Sequence, residues 1–309
     1  MSAHETSPSG QEMVSALHSA FGEHQERAVH AKGLIVTGTF TPAASASGIT
    51  QAPHLQQSVG TITIIGRFSN FTGFPGISDK DPNASPRGMA VRFILPDGTA
   101  TDIVSHSFNG FPTATSAEFA ELLQAIGASG KDVSHPNPLE TFLATHPVAK
   151  TFLTTQAPPP VSWATISYFG VNSFKFTYAE GKSRFVRYQF IPLAGEAYLN
   201  AQQIAEASPD YLSTELSARL AHGPVRFRWQ AQIASTGDDI LDPSTAWPPD
   251  REVIELGMLA FTRVIPGEQT SRNLQFQPGA VTEGIETADD MLNVRKQAYP
   301  ISVSEREAK

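Results

Sequence analysis

Gly88-Met89-Ala90-Val91-Arg92-Phe93-Ile94-Leu95, then Pro96-Asp97-Gly98-Thr99-Ala100, then Thr101-Asp102-Ile103-Val104, is the stretch that decides the fold. Two apolar runs flank Asp97-Gly98, a dipeptide suited to a tight hairpin turn. The stretch predicts two adjacent antiparallel strands. Similar runs lie upstream at Val29 to Phe40 and Thr61 to Phe68. Others lie downstream at 166–176, 184–191, 225–233 and 253–263. Helical spacing is rarer. It occurs at Gln11 to Glu26, broken near Gly22, and at Ser116 to Ala128. It recurs at Leu139 to His146, where Pro147 is expected to stop it, at Asp210 to Leu220, and at Ala288 to Tyr299. Many strands and few helices predict an α+β, mainly β fold. The expected form is a closed antiparallel β-barrel with peripheral helices. Residues 1–10 are small and polar and read as a disordered tail.

Composition narrows the function. The chain has 309 residues, 22 basic against 30 acidic side chains, and no Cys. A chain of this length buries roughly 75% of the surface it exposes when unfolded, so it needs no staple. Zero Cys excludes disulfides, thiolate-ligated zinc or haem, iron–sulfur clusters and a Cys nucleophile. A net charge of −8 with scattered basic residues lacks the footprint of nucleic-acid binding. No apolar run reaches the roughly 18 residues of a membrane span. Met1 to Gln11 has no apolar core of a signal peptide, so the expectation is a cytoplasmic protein.

Of nine His, seven stand among polar or Pro-rich neighbours: His4, His18, His24, His54, His135, His146 and His222. They read as surface or capping residues. His30 stands at the mouth of an apolar strand, where a backbone-satisfied core histidine and a catalytic one are both open. No pattern of His and carboxylates suits zinc. Arg67 lies inside the apolar strand Ile62 to Phe68, where burial without an anion is costly. It reads either as an outward rim residue or as part of an anion site. Arg295 and Tyr299 stand four apart and share one helix face. A guanidinium beside a phenol favours phenolate, a hard donor suited to ferric iron. On spacing alone, an ordinary surface Arg with a packed Tyr accounts for them as well.

Several of these stretches together resemble the catalase superfamily, and most closely its short catalase-related haem peroxidases. His30 falls in Val29-His30-Ala31-Lys32-Gly33, with Arg27 three residues before. Arg67-Phe68-Ser69 resembles a family strand, as does Pro86-Arg87-Gly88-Met89-Ala90-Val91-Arg92-Phe93. Further matches are Gly170-Val171-Asn172-Ser173-Phe174-Lys175-Phe176, Asp242-Pro243 to Trp247-Pro248, and Asp290-Met291-Leu292 leading into Arg295 and Tyr299. The resemblance runs from about residue 13 to 306. It implies one haem-binding domain over 1–309, with haem b as cofactor and a C-terminal ligand helix. Tyr299 would be the iron ligand, held as phenolate by Arg295. His30 would be the acid–base group, hydrogen-bonded by Ser69. Arg27, Arg67 and Arg306 would pair with the propionates or steady the ligand side. Phe111 and Phe119 would line the porphyrin.

Two departures qualify the resemblance. The position of the family's distal Asn holds His106, with Asn109 three residues on. Ile301-Ser302 replaces an Asp-Thr pair after the ligand. These, with the shortness of the chain, shift the expectation from peroxide dismutation to peroxidase chemistry. Hydrogen peroxide or an organic hydroperoxide would be reduced by organic electron donors through a ferryl intermediate. No nucleic acid and no membrane are expected as partners, and a homodimer is left open. The alternatives are a fatty-acid hydroperoxide isomerase resembling allene oxide synthase, a non-catalytic haem-binding protein, and a barrel that has lost haem.

Overall fold

The computed structural model describes residues 7–267 and 272–307. Its strands are β1 (Gly33–Pro42), β2 (Ile62–Ser69), β3 (Gly88–Ile94), β4 (Ala100–His106), β5 (Tyr168–Thr177), β6 (Ser183–Pro192), β7 (Val225–Ile233), β8 (Val253–Val264) and β9 (Ile285–Thr287). Its helices are α1 (Gly10–Phe21), α2 (Ser116–Gly127), α3 (Pro138–Thr145), α4 (Pro147–Thr154), α5 (Ala201–Glu206), α6 (Tyr211–His222) and α7 (Met291–Glu307). The strands run antiparallel in the order β4-β3-β2-β1-β8-β7-β6-β5-β9. β4 also pairs with β5, His106 opposite Phe169, and this closes eight strands into a barrel.

The predicted hairpin is present. Ile94 pairs with Ala100, and Gly98 takes φ 84°, the left-handed conformation that such turns use. β1 begins at Gly33 rather than Val29, because His30 at φ 57° interrupts the extended backbone. Pro147 does not simply stop a helix. It opens α4 from the first-turn position, where its missing N–H costs nothing. Of the predicted tail, residues 1–6 lie outside the described residues. Ser9 caps α1 through a reciprocal pair with Glu12, and Gly10 is already helical.

The barrel interior is aromatic. Trp229 packs against Phe93 at 5.0 Å, Phe40 at 5.4 Å and Phe190 at 5.8 Å between ring centres. His54 belongs to this core, not to the surface. It is 1% exposed, stacked on Trp229 at 6.0 Å, and its Nδ1 has no partner. Its short 3-10 turn, Pro53–Leu55, folds inward, which its Pro-rich surroundings do not reveal. Arg67 is likewise no rim residue, at 4% exposed. A second apolar layer forms where α1, α2 and α7 meet through Val14, Leu17, Leu123, Val294 and Ala298. Among the described residues no helix is long and apolar enough to cross a membrane.

Candidate active site

A cavity of about 170 Å³ lies between the barrel wall and the helical layer. β2, β3, β4 and β5 supply one side of it, and α1 and α7 the other. It gathers Arg27, His30, Arg67, Ser69, His106, Phe111, Phe119, Arg295, Tyr299 and Arg306, residues that span almost the whole chain. Asn109 is exposed and does not line it, so His106 is the residue at that wall.

The His30 side is built from strand ends. The His30 N–H bonds the Phe71 carbonyl at 2.9 Å and fixes the left-handed backbone. Its Nδ1 lies 3.1 Å from Ser69 Oγ at the end of β2. Gly88, paired with Ser69 on β3, leaves room for both groups. A Cβ there would sit 2.5 Å from Ser69 Oγ and 2.7 Å from His30 Nδ1. Burial first, then the charges of Arg67, His106 and Arg295, push the His30 pKa down to about 3. The ring therefore stands neutral at ordinary pH. Burial holds His106 down to about 3 as well, helped by Arg295. Its Nδ1 faces the Phe108 N–H at a long 3.4 Å, which leaves the neutral ring's proton on Nε2. That Nε2 is buried without a hydrogen-bond partner.

The Tyr299 side belongs to α7. Arg295 donates from Nη2 to the Tyr299 oxygen at 3.0 Å, one helical turn on. Its Nη1 donates to Asn172 Oδ1 at 2.8 Å. Asn172, from β5, donates in turn to Asp289 Oδ2 at 2.7 Å. Asp289 Oδ1 accepts the Met291 N–H at 2.8 Å, at the start of α7. Asn172 and Asp289 had no assigned role in the sequence. The one signal was the polar Asn172 within the apolar run Gly170 to Phe176; Asp289, far outside that run, carried none.

Three guanidinium groups share a corner. Arg67 donates to the Ala31 carbonyl at 2.9 Å, Arg27 to Leu274 at 2.7 Å and Arg306 to Arg272 at 3.0 Å. Burial, then Arg67 and Arg306, push the Arg27 pKa down. Burial and Arg306 do the same to Arg67, opposed by Glu26. Glu26 is itself paired with Arg272 at 3.0 Å. Such a corner asks for added anions.

These residues fit haem. A phenol oxygen beside a guanidinium suits ferric iron, and the clustered arginines suit two propionates. Val29, Phe111, Phe119 and Val294 suit the flat apolar macrocycle. The unpartnered Nε of Arg67 and Nε2 of His106 are polar atoms that an occupant would satisfy.

Comparison with known proteins agrees. The family model described as catalase matches residues 18–308. A catalase-related peroxidase of Mycolicibacterium paratuberculosis is 39% identical over 289 residues, covering 91% of this chain and 88% of that protein. One of Synechococcus elongatus is 30% identical over 304 residues, covering 96% and 88%. The solved structure of a bacterial catalase superimposes with a TM-score of 0.79 at 23% identity, covering 91% of this chain. This chain spans 57% of the length of that structure.

Proposed function

The chain belongs to the catalase family, and on that premise we propose that it is a haem b-dependent peroxidase. It reduces hydrogen peroxide or organic hydroperoxides with organic electron donors and dismutes peroxide weakly or not at all. The observation that carries the reading is the convergence on one cavity of the Arg295–Tyr299 pair and the His30–Ser69 pair. When bound, haem supplies the iron that takes up the peroxide's oxidising equivalents and passes them to a donor.

The chain's own residues do the rest. Tyr299 offers its oxygen as ligand, and Arg295 faces the charge that oxygen carries. Arg27, Arg67 and Arg306 hold the carboxylates. His30, kept neutral, takes the hydroperoxide proton at Nε2, since Nδ1 is engaged with Ser69, and returns it to the oxygen that leaves. His106 donates from Nε2 to the peroxide. An imidazole here, where the family pattern has an amide, favours peroxidase over dismutation.

The test is the optical spectrum of haem-loaded wild type and Tyr299→Phe, each then given peroxide and a donor dye. The wild type is expected to show a tyrosinate-ligated spectrum and to oxidise the dye. An unchanged spectrum in Tyr299→Phe sinks the ligand assignment. Strong oxygen release with no dye oxidation sinks the peroxidase reading.

A further inference from the structure

The loop between β2 and β3, residues 70–87, buries a carboxylate, a guanidinium and an amide that do not line the cavity. Asp79 and Asn70 are 0% exposed and Arg87 is 1% exposed. Charges this deep are costly unless partners meet them, and here they meet one another. Asp79 Oδ1 accepts from Lys32 Nζ at 2.8 Å and from Asn70 Nδ2 at 2.8 Å. Asn70 Oδ1 accepts from Arg87, which also donates to the carbonyls of Asp79 and Ala84. Asp79 is the buried anion at the centre. Asp210, the other carboxylate on Lys32, is 74% exposed.

Each partner of Asp79 stands beside a residue of the His30 side. Lys32 follows His30 by two positions, Asn70 follows Ser69, and Arg87 precedes Gly88. Backbone bonds carry the connection across. The Asn70 N–H donates to the Lys32 carbonyl at 3.0 Å. Arg87 grips Ser107, the neighbour of His106, by two bonds: its N–H donates to Ser107 Oγ, and its carbonyl accepts the Ser107 N–H, each at 2.8 Å. The cluster is also tied down on its far side. Asp79 Oδ2 accepts the Leu212 N–H at 2.9 Å in the first turn of α6, where Asp210 supplies no side-chain cap. An anion is favoured at that helix end. α6 is itself firm, since Leu212, Leu216 and Leu220 are buried in the core cluster of the barrel.

We propose that Asp79 is a positioning residue for the peroxide chemistry. It acts through Lys32, Asn70 and Arg87, and one carboxylate thereby sets the places of His30, Ser69 and His106 against α6. This rests on the peroxidase reading for the work those side chains do. Without the charge, Lys32 and Arg87 face each other uncompensated and the loop loses its hold on α6. A histidine displaced by about 1 Å then loses about 100-fold in rate.

The experiment compares haem-loaded wild type, Asp79→Asn, Lys32→Met and Asp210→Asn with two ligands that need no turnover. Hydrogen cyanide binds ferric haem as cyanide, so a nearby base must take its proton, the task given to His30. Nitric oxide has no proton to lose. Asp79→Asn keeps the size and an acceptor oxygen but removes the charge. Its cyanide association rate is expected to fall about 100-fold, with nitric oxide association within about twofold of wild type. Lys32→Met disturbs the cluster from its outer end and is expected to slow cyanide about tenfold. It carries the test should Asp79→Asn not fold. Asp210→Asn removes an exposed charge and is expected to match wild type. The kcat/KM for hydrogen peroxide, with a phenolic donor, is expected to follow the cyanide rates across the series. A wild-type cyanide rate in Asp79→Asn, or in Lys32→Met where only that variant folds, overturns the proposal. So do equal losses for cyanide and nitric oxide, which mark a loop staple with no hold on His30. No donor oxidation by wild type, while the cyanide series holds, overturns the peroxidase reading and leaves Asp79 as the residue that positions His30.

Discussion

His30 holds its place by three constraints that act on different atoms. The backbone is pinned at φ 57° by Phe71, Nδ1 is met by Ser69, and the ring rests against Gly88. Left-handed backbone is uncommon for a residue with a Cβ and is maintained only where its surroundings enforce it. Gly88→Ala tests the last constraint. The new methyl would press on the Ser69 and His30 side chains, so stability should fall by about 1–3 kcal/mol. The ring of His30 has to give way, and a displacement near 1 Å costs about 100-fold in rate. Donor oxidation with hydrogen peroxide, set beside thermal melting of the same protein, separates the two effects. Full activity in Gly88→Ala would show that the ring does not need this contact. His30, Arg67, Arg295 and Tyr299 were legible in the sequence because each stands in a quotable pattern. Gly88 was quoted only as part of a strand. Its role depends on pairing with Ser69, nineteen positions away in the chain, and no local pattern records that.

At the level of elements, α7 matters less for its own propensity than for how it is seated. It carries both Arg295 and Tyr299, and its start is held by Asp289, which accepts from Met291 N–H and from Asn172 on β5. One carboxylate thereby ties the helix to the barrel and, through Asn172, orients Arg295. Asp289 is 3% exposed, and burial pushes its pKa up against the pull of Asn172 and Met291. Asp289→Ala leaves a buried N–H and a buried amide unpaired, at a cost of about 1–3 kcal/mol for each group left unsatisfied. It should also loosen Arg295 and shift the absorption band of the haem-loaded protein. Asp289→Asn keeps an acceptor oxygen and should recover part of the stability in chemical denaturation. A wild-type spectrum and melt in Asp289→Ala would detach the anchor from the site. The long strands were readable from apolar runs, and β7 falls on its predicted residues 225–233. β9 and α5, of three and six residues, were not, since neither spans enough of a period to register.

For the molecule as a whole, the barrel and the site meet acid differently. His54 lies in the barrel core, away from the cavity, and burial alone pushes its pKa down to about 3. An unfolded chain titrates the same ring near 6.5. Between those values the unfolded state binds a proton that the folded state refuses, so stability rises with pH across that window. The contribution is whole above about pH 6.5 and is lost progressively as the pH falls toward 3. Since β1 and β8, strands from opposite ends of the chain, pair side by side in the barrel, the loss should appear as one cooperative transition. His30 and His106 respond in the same direction, but haem and its ligands change their surroundings. His54 has no such complication. His54→Leu keeps an apolar group against Trp229 and removes the titrating ring. Melting curves at pH 7 and pH 4.5 should therefore lie closer together in His54→Leu than in wild type. The unpartnered Nδ1 sharpens the expectation, because removing it leaves no hydrogen bond unmade. If the gap between the two curves is unchanged in His54→Leu, the acid sensitivity belongs to the cavity histidines and not to the barrel core.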